Sequence, residues 1–102
     1  MKLASRQNIG SVGVAINSKE FQNFTIIVIE LLGDSKALYK PCSEFHGLFH
    51  QPYAIFKCNE SAGYSGDFLY IKDNREGVNE FSLCEVHVFP LMGKQVDHFR
   101  TK

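Results

Sequence analysis

Gly66-Asp67-Phe68-Leu69-Tyr70-Ile71-Lys72 and Phe81-Ser82-Leu83-Cys84-Glu85-Val86-His87-Val88-Phe89 are two β-rich runs separated by the polar segment 73–80. The second run alternates: Cys84, Val86 and Val88 fall on one face, Leu83, Glu85, His87 and Phe89 on the other. A period of two is the mark of a half-buried antiparallel strand. The segment between the runs is rich in Asn, Asp, Arg, Glu and Gly, and reads as a solvated hairpin connection with Arg75 and Asn79 in water.

Working outward, Phe24-Thr25-Ile26-Ile27-Val28-Ile29-Glu30 is the strongest strand of the chain. It is apolar on both faces toward its end, which predicts a central place in a sheet. Gly33-Asp34-Ser35 supplies turn residues that end it. Ser11 to Ile16 sets Val12, Val14 and Ile16 on one face against Gly13 and Ala15 on the other, and predicts the first strand, with a turn at Asn17, Ser18, Lys19 and Glu20. Tyr53 to Cys58 reads as a strand. Ala37 to Gln51, with Pro41, Gly47 and mixed chemistry, reads as a loop holding a brief strand. After Phe89 the chain turns polar, a tail that frays or covers a sheet edge. The expectation is one domain over residues 1–102 with its core in 11–90 and a polar tail in 91–102. Five or six short strands without a helical period predict an all-β fold, an antiparallel β-sandwich with exposed edges.

Composition narrows the function classes. Eleven Lys and Arg balance eleven Asp and Glu over 102 residues, so no broad field points to nucleic acid or an acidic membrane. No apolar run reaches the roughly 18 residues of a membrane-spanning helix, and residues 1–11 lack the apolar core of a signal peptide. Two glycosylation triplets, at Asn23 and Asn59, lean toward a secreted, extracellular glycoprotein. In that setting a bridge between Cys42 and Cys58 would contribute about 3 kcal/mol by constraining the unfolded chain. Three reduced thiols in a cytosolic protein are the alternative.

The chemical constellations are thin. Cys42, His46, His50 and Cys58 have the spacing Cys-x3-His-x3-His-x7-Cys, which matches no common zinc finger. Cys84 and His87 lie three apart on a strand and so point to opposite faces, which separates thiol from base. Glu85 and His87 share a face, either as a solvated polar pair or as the remnant of a metal corner. Phe45, Phe49, Tyr53, Phe56, Tyr64 and Phe68 read as core, with a sugar-stacking platform as the alternative. No nucleophile–base pair or full metal set can be assembled, so a non-catalytic protein is expected.

Five landmarks occur in order: Val14-Ala15-Ile16-Asn17, Phe21-Gln22-Asn23-Phe24-Thr25-Ile26-Ile27-Val28, the pair Cys42 and Cys58, the run Gly66 to Ile71, and Leu83-Cys84-Glu85-Val86. Together they resemble an F-type lectin (fucolectin) domain, of the galactose-binding-like jelly-roll class. The resemblance implies a jelly roll, here truncated, because the first third of the family domain has no counterpart. It implies a calcium ion held partly through the Cys84 carbonyl and the Glu85 carboxylate, an incomplete set. It also implies an upstream cysteine partner for Cys84 that this chain lacks.

The family grips fucose with a His and with an Arg-bearing loop that carries adjacent cysteines. Here that loop holds only Ser18, Lys19 and Glu20, so Lys19 is the one remaining cation near the sugar mouth. The function so implied is extracellular carbohydrate recognition without chemistry, with glycans or glycoproteins, including fucosylated ones, as partners. An oligomer or a partner segment would complete the sandwich. The alternative is a relative that has lost fucose and serves as an adhesion or structural interaction module.

Overall fold

The computed structural model describes residues 1–17, 20–58, 64–75, 83–91 and 97–100. It is all-β, with seven strands: β1 Lys2–Ile16, β2 Phe21–Gly33, β3 Lys36–Leu48, β4 Tyr53–Lys57, β5 Tyr64–Asp73, β6 Leu83–Pro90 and β7 Asp97–Arg100. They form one sheet in the order β3-β2-β5-β1-β6-β7, with β4 also paired to β1. Every pairing is antiparallel.

β1 organises the sheet because it is long enough to serve two halves. Its first half, Lys2 to Ile9, pairs with β5. Its second half, Ser11 to Ala15, pairs with β4 on that same side, while β6 runs along the other. The change of partner falls at Gly10. The β1–β6 register skips there from Ile9↔Pro90 to Ser11↔Phe89, so Gly10 is the extra residue of a β-bulge. The Leu91 N–H donates to the Asn8 carbonyl at 2.8 Å and the Cys58 N–H to the Gly10 carbonyl at 3.0 Å, so both sides of the bend stay hydrogen-bonded. A Cβ at Gly10 would come within 3.1 Å of the Leu91 Cα, which is why the narrowest residue sits there.

The bend curls the sheet so that one face closes on itself. Val12, Val14 and Ile16 of β1, Phe24, Ile26 and Val28 of β2, Leu69 and Ile71 of β5, and Val86 and Val88 of β6 form the buried core. Each such side chain contributes on the order of 1.5–3 kcal/mol relative to exposure. Aromatic rings close one end across the curl: Phe24 of β2 meets Phe56 of β4 edge-on at 5.7 Å although the two strands share no ladder. Phe45 lies between Phe24 and Phe49, at 5.6 and 5.4 Å. The Cys42–Cys58 disulfide ties β3, at the far edge of the first half, to the end of β4.

Outside the core, a charged lattice joins four strands. Arg6 of β1 donates through Nε and an η nitrogen to Asp67 of β5, and through the latter also to the Leu31 carbonyl at 2.6 Å. The Leu31 N–H donates to Asp67 at 2.9 Å. Lys40 of β3 bonds Glu30 of β2 at 3.0 Å and the Ser65 carbonyl at 2.8 Å. The Arg6 guanidinium holds the Asp67 carboxyl below its ordinary range, and Lys40 does the same for Glu30.

Several expectations are corrected. The first strand begins at Lys2, not Ser11, and its residues Leu3 and Ile9 are buried with the core cluster. The segment 37–51 is a 13-residue strand, β3, for most of its length rather than a loop. It is an edge strand, where Pro41 is tolerated because its missing N–H breaks no inner ladder, and the register shift between Ser43 and Pro41 makes Cys42 a bulged residue. β5 and β6 are not a hairpin: β1 lies between them. The tail covers an edge, since β7 pairs with β6. Arg75 is not solvated. Its side chain is 10% exposed, bound to Asp73 at 2.9 Å, and donates to the Phe21 carbonyl at 3.1 Å. Asn79 lies outside the described residues.

Candidate functional site

The outer face of β4, β1 and β6 brings together the polar residues that the sequence scatters. Directly opposite residues share a face, and the ladders align Tyr53 with Ala15 and Glu85, and Gly13 with Ile55 and His87. Gly13 makes room for an aromatic ring: a Cβ there would overlap the Tyr53 hydroxyl and ring carbon. Tyr53 therefore lies across the strand and meets the His87 imidazole edge-on at 5.6 Å. His87 Nε2 is 3.8 Å from the Glu85 carboxylate, and both side chains are about a quarter exposed, at 25% and 29%. Burial, and then the Glu85 charge, push the Tyr53 phenol above its ordinary pKa, so it stays a neutral donor.

A β-bulge shapes the rim. Between Ala15↔Glu85 and Ile16↔Leu83, β6 spends two residues against one of β1, and Cys84 is the extra one. This corrects the expected alternation. Leu83 turns inward and packs on the core, while Cys84 leaves the Val86–Val88 face and lines the outer cleft. The result is an open cleft of about 470 Å³ lined by Ala15, Ile16, Asn17, Pro52, Tyr53, Cys84 and Glu85. It offers the Glu85 carboxylate, the Asn17 amide and the Tyr53 phenol with its aromatic ring at one shallow surface. The Ile16 N–H bonds the Pro52 carbonyl at 3.3 Å and ties the cleft's floor to its wall.

The other sequence-derived residues separate. Cys42 and Cys58 are joined in a disulfide, buried at 0% and 9% exposure, so they do not form a metal site with His46 and His50. Among the described residues no three His, Cys, Asp or Glu side chains converge as metal ligands would. Around Cys84 and Glu85 the described side chains supply one carboxylate, that of Glu85, where calcium takes six to eight oxygens. Lys19 and Asn59 lie outside the described residues. Asn23 is half-buried on the outer face of β2, opposite His46, and its carbonyl accepts the Asn74 N–H at 2.7 Å. The hydroxyl of Thr25, in the same glycosylation triplet, accepts from the Asn74 amide at 2.8 Å.

Of the six aromatic residues expected in the core, Phe45, Phe49, Phe56 and Tyr64 pack there. Tyr53 and Phe68 face outward. A second cleft, about 230 Å³ and almost wholly apolar, opens beside Phe45, Leu48, Phe49 and Phe56. Sequence reasoning missed Tyr53 as a partner of Glu85 and His87, since nothing local links residues more than 30 apart. The signal was Gly13, a glycine in a strand interior, which marks a close approach by another group.

No family model, no curated protein and no solved structure matches this chain.

Proposed function

We propose that the chain is a non-catalytic, extracellular carbohydrate-recognition module that holds its ligand in the cleft between β1, β4 and β6. The observation that carries this reading is the convergence of Tyr53, Glu85 and Asn17 on one shallow, open surface, with His87 beside Tyr53 and Glu85. Glycans present hydroxyls in fixed directions and one apolar face. The Glu85 carboxylate and the Asn17 amide answer the hydroxyls, and the ring of Tyr53 answers the apolar face. The lectin-like sequence landmarks and the disulfide are compatible with the same reading, and no helix among the described residues is long and apolar enough to cross a membrane. Fucose is one arm of the test, because the family resemblance implies it while the family's arginine loop is absent.

The experiment is a glycan array on the purified chain, followed by titration of the best glycan with and without calcium and against Tyr53→Ala. Binding of at least one glycan class, released by the free sugar and weakened at least tenfold by Tyr53→Ala, is expected. A folded chain that binds no glycan ends the proposal.

A second reading, an adhesion or structural interaction module, has its own support. The outer face of β3, β2 and β5 aligns Tyr39, Ile29 and Phe68 in one row and Pro41, Ile27 and Tyr70 in the next, with Tyr39 63% and Tyr70 48% exposed. An apolar outer face of this kind is where a protein partner packs. That reading predicts a silent array and binding that Tyr39→Lys with Tyr70→Lys abolishes.

A further inference from the structure

We infer that the cleft between β1, β4 and β6 selects sugars that carry a protonated amine. The inference rests on the carbohydrate reading above and names the ligand class within it.

The charge carried by the cleft's described residues is negative. Among its described lining residues Glu85 is the one charged side chain; Ala15, Ile16, Pro52, Asn17 and Tyr53 are neutral, and Cys84 supplies a sulfur. The Glu85 charge reaches the cleft interior, since it helps hold the phenol of Tyr53 in its neutral form. An acidic sugar entering here meets like charge. A neutral sugar gains only neutral hydrogen bonds. An ammonium group on the ring gains a charge-assisted bond, roughly twice as strong as a neutral one. It also gains the attraction of an electron-rich aromatic face if it sits over Tyr53.

Capacity is not limiting. A carboxylate has two oxygens and about four acceptor positions, so a ligand ammonium joins the partners Glu85 already has. The Asn17 amide, exposed at the strand end, is placed for the neighbouring hydroxyls, whose direction separates a sugar from a simple amine.

The test compares four tetrasaccharides on the purified chain in low salt: a β-linked glucosamine oligomer, its N-acetylated form, the unsubstituted glucose oligomer and a uronate oligomer. A lysine ester is the non-sugar amine. The glucosamine oligomer is expected to bind about tenfold more tightly than its N-acetylated form, the uronate to bind worst, and the preference to shrink as salt rises. Glu85→Gln, checked for folding by circular dichroism, should bring the ratio of the two glucosamine forms to about one. Glu44→Gln, an exposed carboxylate on β3, should leave the ratio unchanged.

Equal or tighter binding of the N-acetylated, neutral or acidic oligomer overturns the inference and leaves the carbohydrate reading standing. Binding of the lysine ester as tightly as the glucosamine oligomer overturns it by showing an amine site without sugar selection. Failure of every oligomer to bind brings down the carbohydrate reading and the inference with it.

Discussion

Removing the Cys42–Cys58 bridge tests whether the curl of the sheet depends on a covalent tie. The two residues are separated by 16 positions. The chain-entropy relation for a loop of that length gives about 3 kcal/mol of stabilisation at room temperature. For a domain of this size 1 kcal/mol corresponds to roughly 4–8 °C in Tm, so the loss predicts a fall of about 12–24 °C. The fall is expected both for Cys42→Ala with Cys58→Ala and for the parent chain under reductant. Beyond the loop entropy, the bridge secures a join with no ladder in it: β3 and β4 pair with different strands and meet through Phe45, Phe49 and Phe56. Thermal unfolding by far-ultraviolet circular dichroism reads the change. Labelling denatured, unreduced chain first establishes the starting state, one reactive thiol per chain, from Cys84. A Tm drop under about 5 °C in both conditions would refute the reasoning and assign the closure to the aromatic cluster alone.

Two further outcomes follow from other parts of the fold. Asp67, Glu30 and Asp73 are held below ordinary carboxyl values by Arg6, Lys40 and Arg75 in turn. In the window between folded and unfolded values the unfolded chain binds more protons, so stability rises with pH there. The urea midpoint should stay level down to about pH 5 and fall below about pH 4, and Asp67→Asn should lower the plateau and flatten the acid limb; an unchanged limb would show that the lattice contributes nothing. Gly13→Ala should leave the fold intact but push Tyr53 off β1. Tyrosine ionisation then moves down toward its ordinary value of about 10 and glycan affinity falls; a phenol titration and binding curve identical to the parent's would refute the placement of that ring.

The strands that alternate cleanly were legible from residues alone. Val86 and Val88 stand out because the other side of their strand carries Glu85 and His87, and the run 24–30, apolar on both faces, was legible as an inner strand, between β3 and β5. The strands that were not legible lack that contrast. In β3 the inward set includes Lys40 and Ser43 opposite Val28 and Ile26, and Pro41 with the bulge at Cys42 breaks the period, so an edge strand looks like a loop. The first half of β1 buries little besides Leu3 and Ile9 and is held by its ladder to β5. The insertion of β1 between β5 and β6 leaves no trace in either sequence run, because a polar connection looks the same whether it closes a hairpin or crosses a strand. The cleft inherits the same opacity. Glu85 and His87 were visible as a pair, but Tyr53 reaches them only because β4 and β6 flank the same stretch of β1.

The threefold pairing of β1 also dictates how the chain must assemble. Its first ladder partner in sequence is β4, and its longest shared edges are with β5 and β6, whose residues begin at Tyr64 and Leu83. β1 leaves the ribosome before β4, β5 and β6, so its apolar face waits, unmated, until they follow. Such distant closure makes for slow folding and leaves nascent chains exposed to one another.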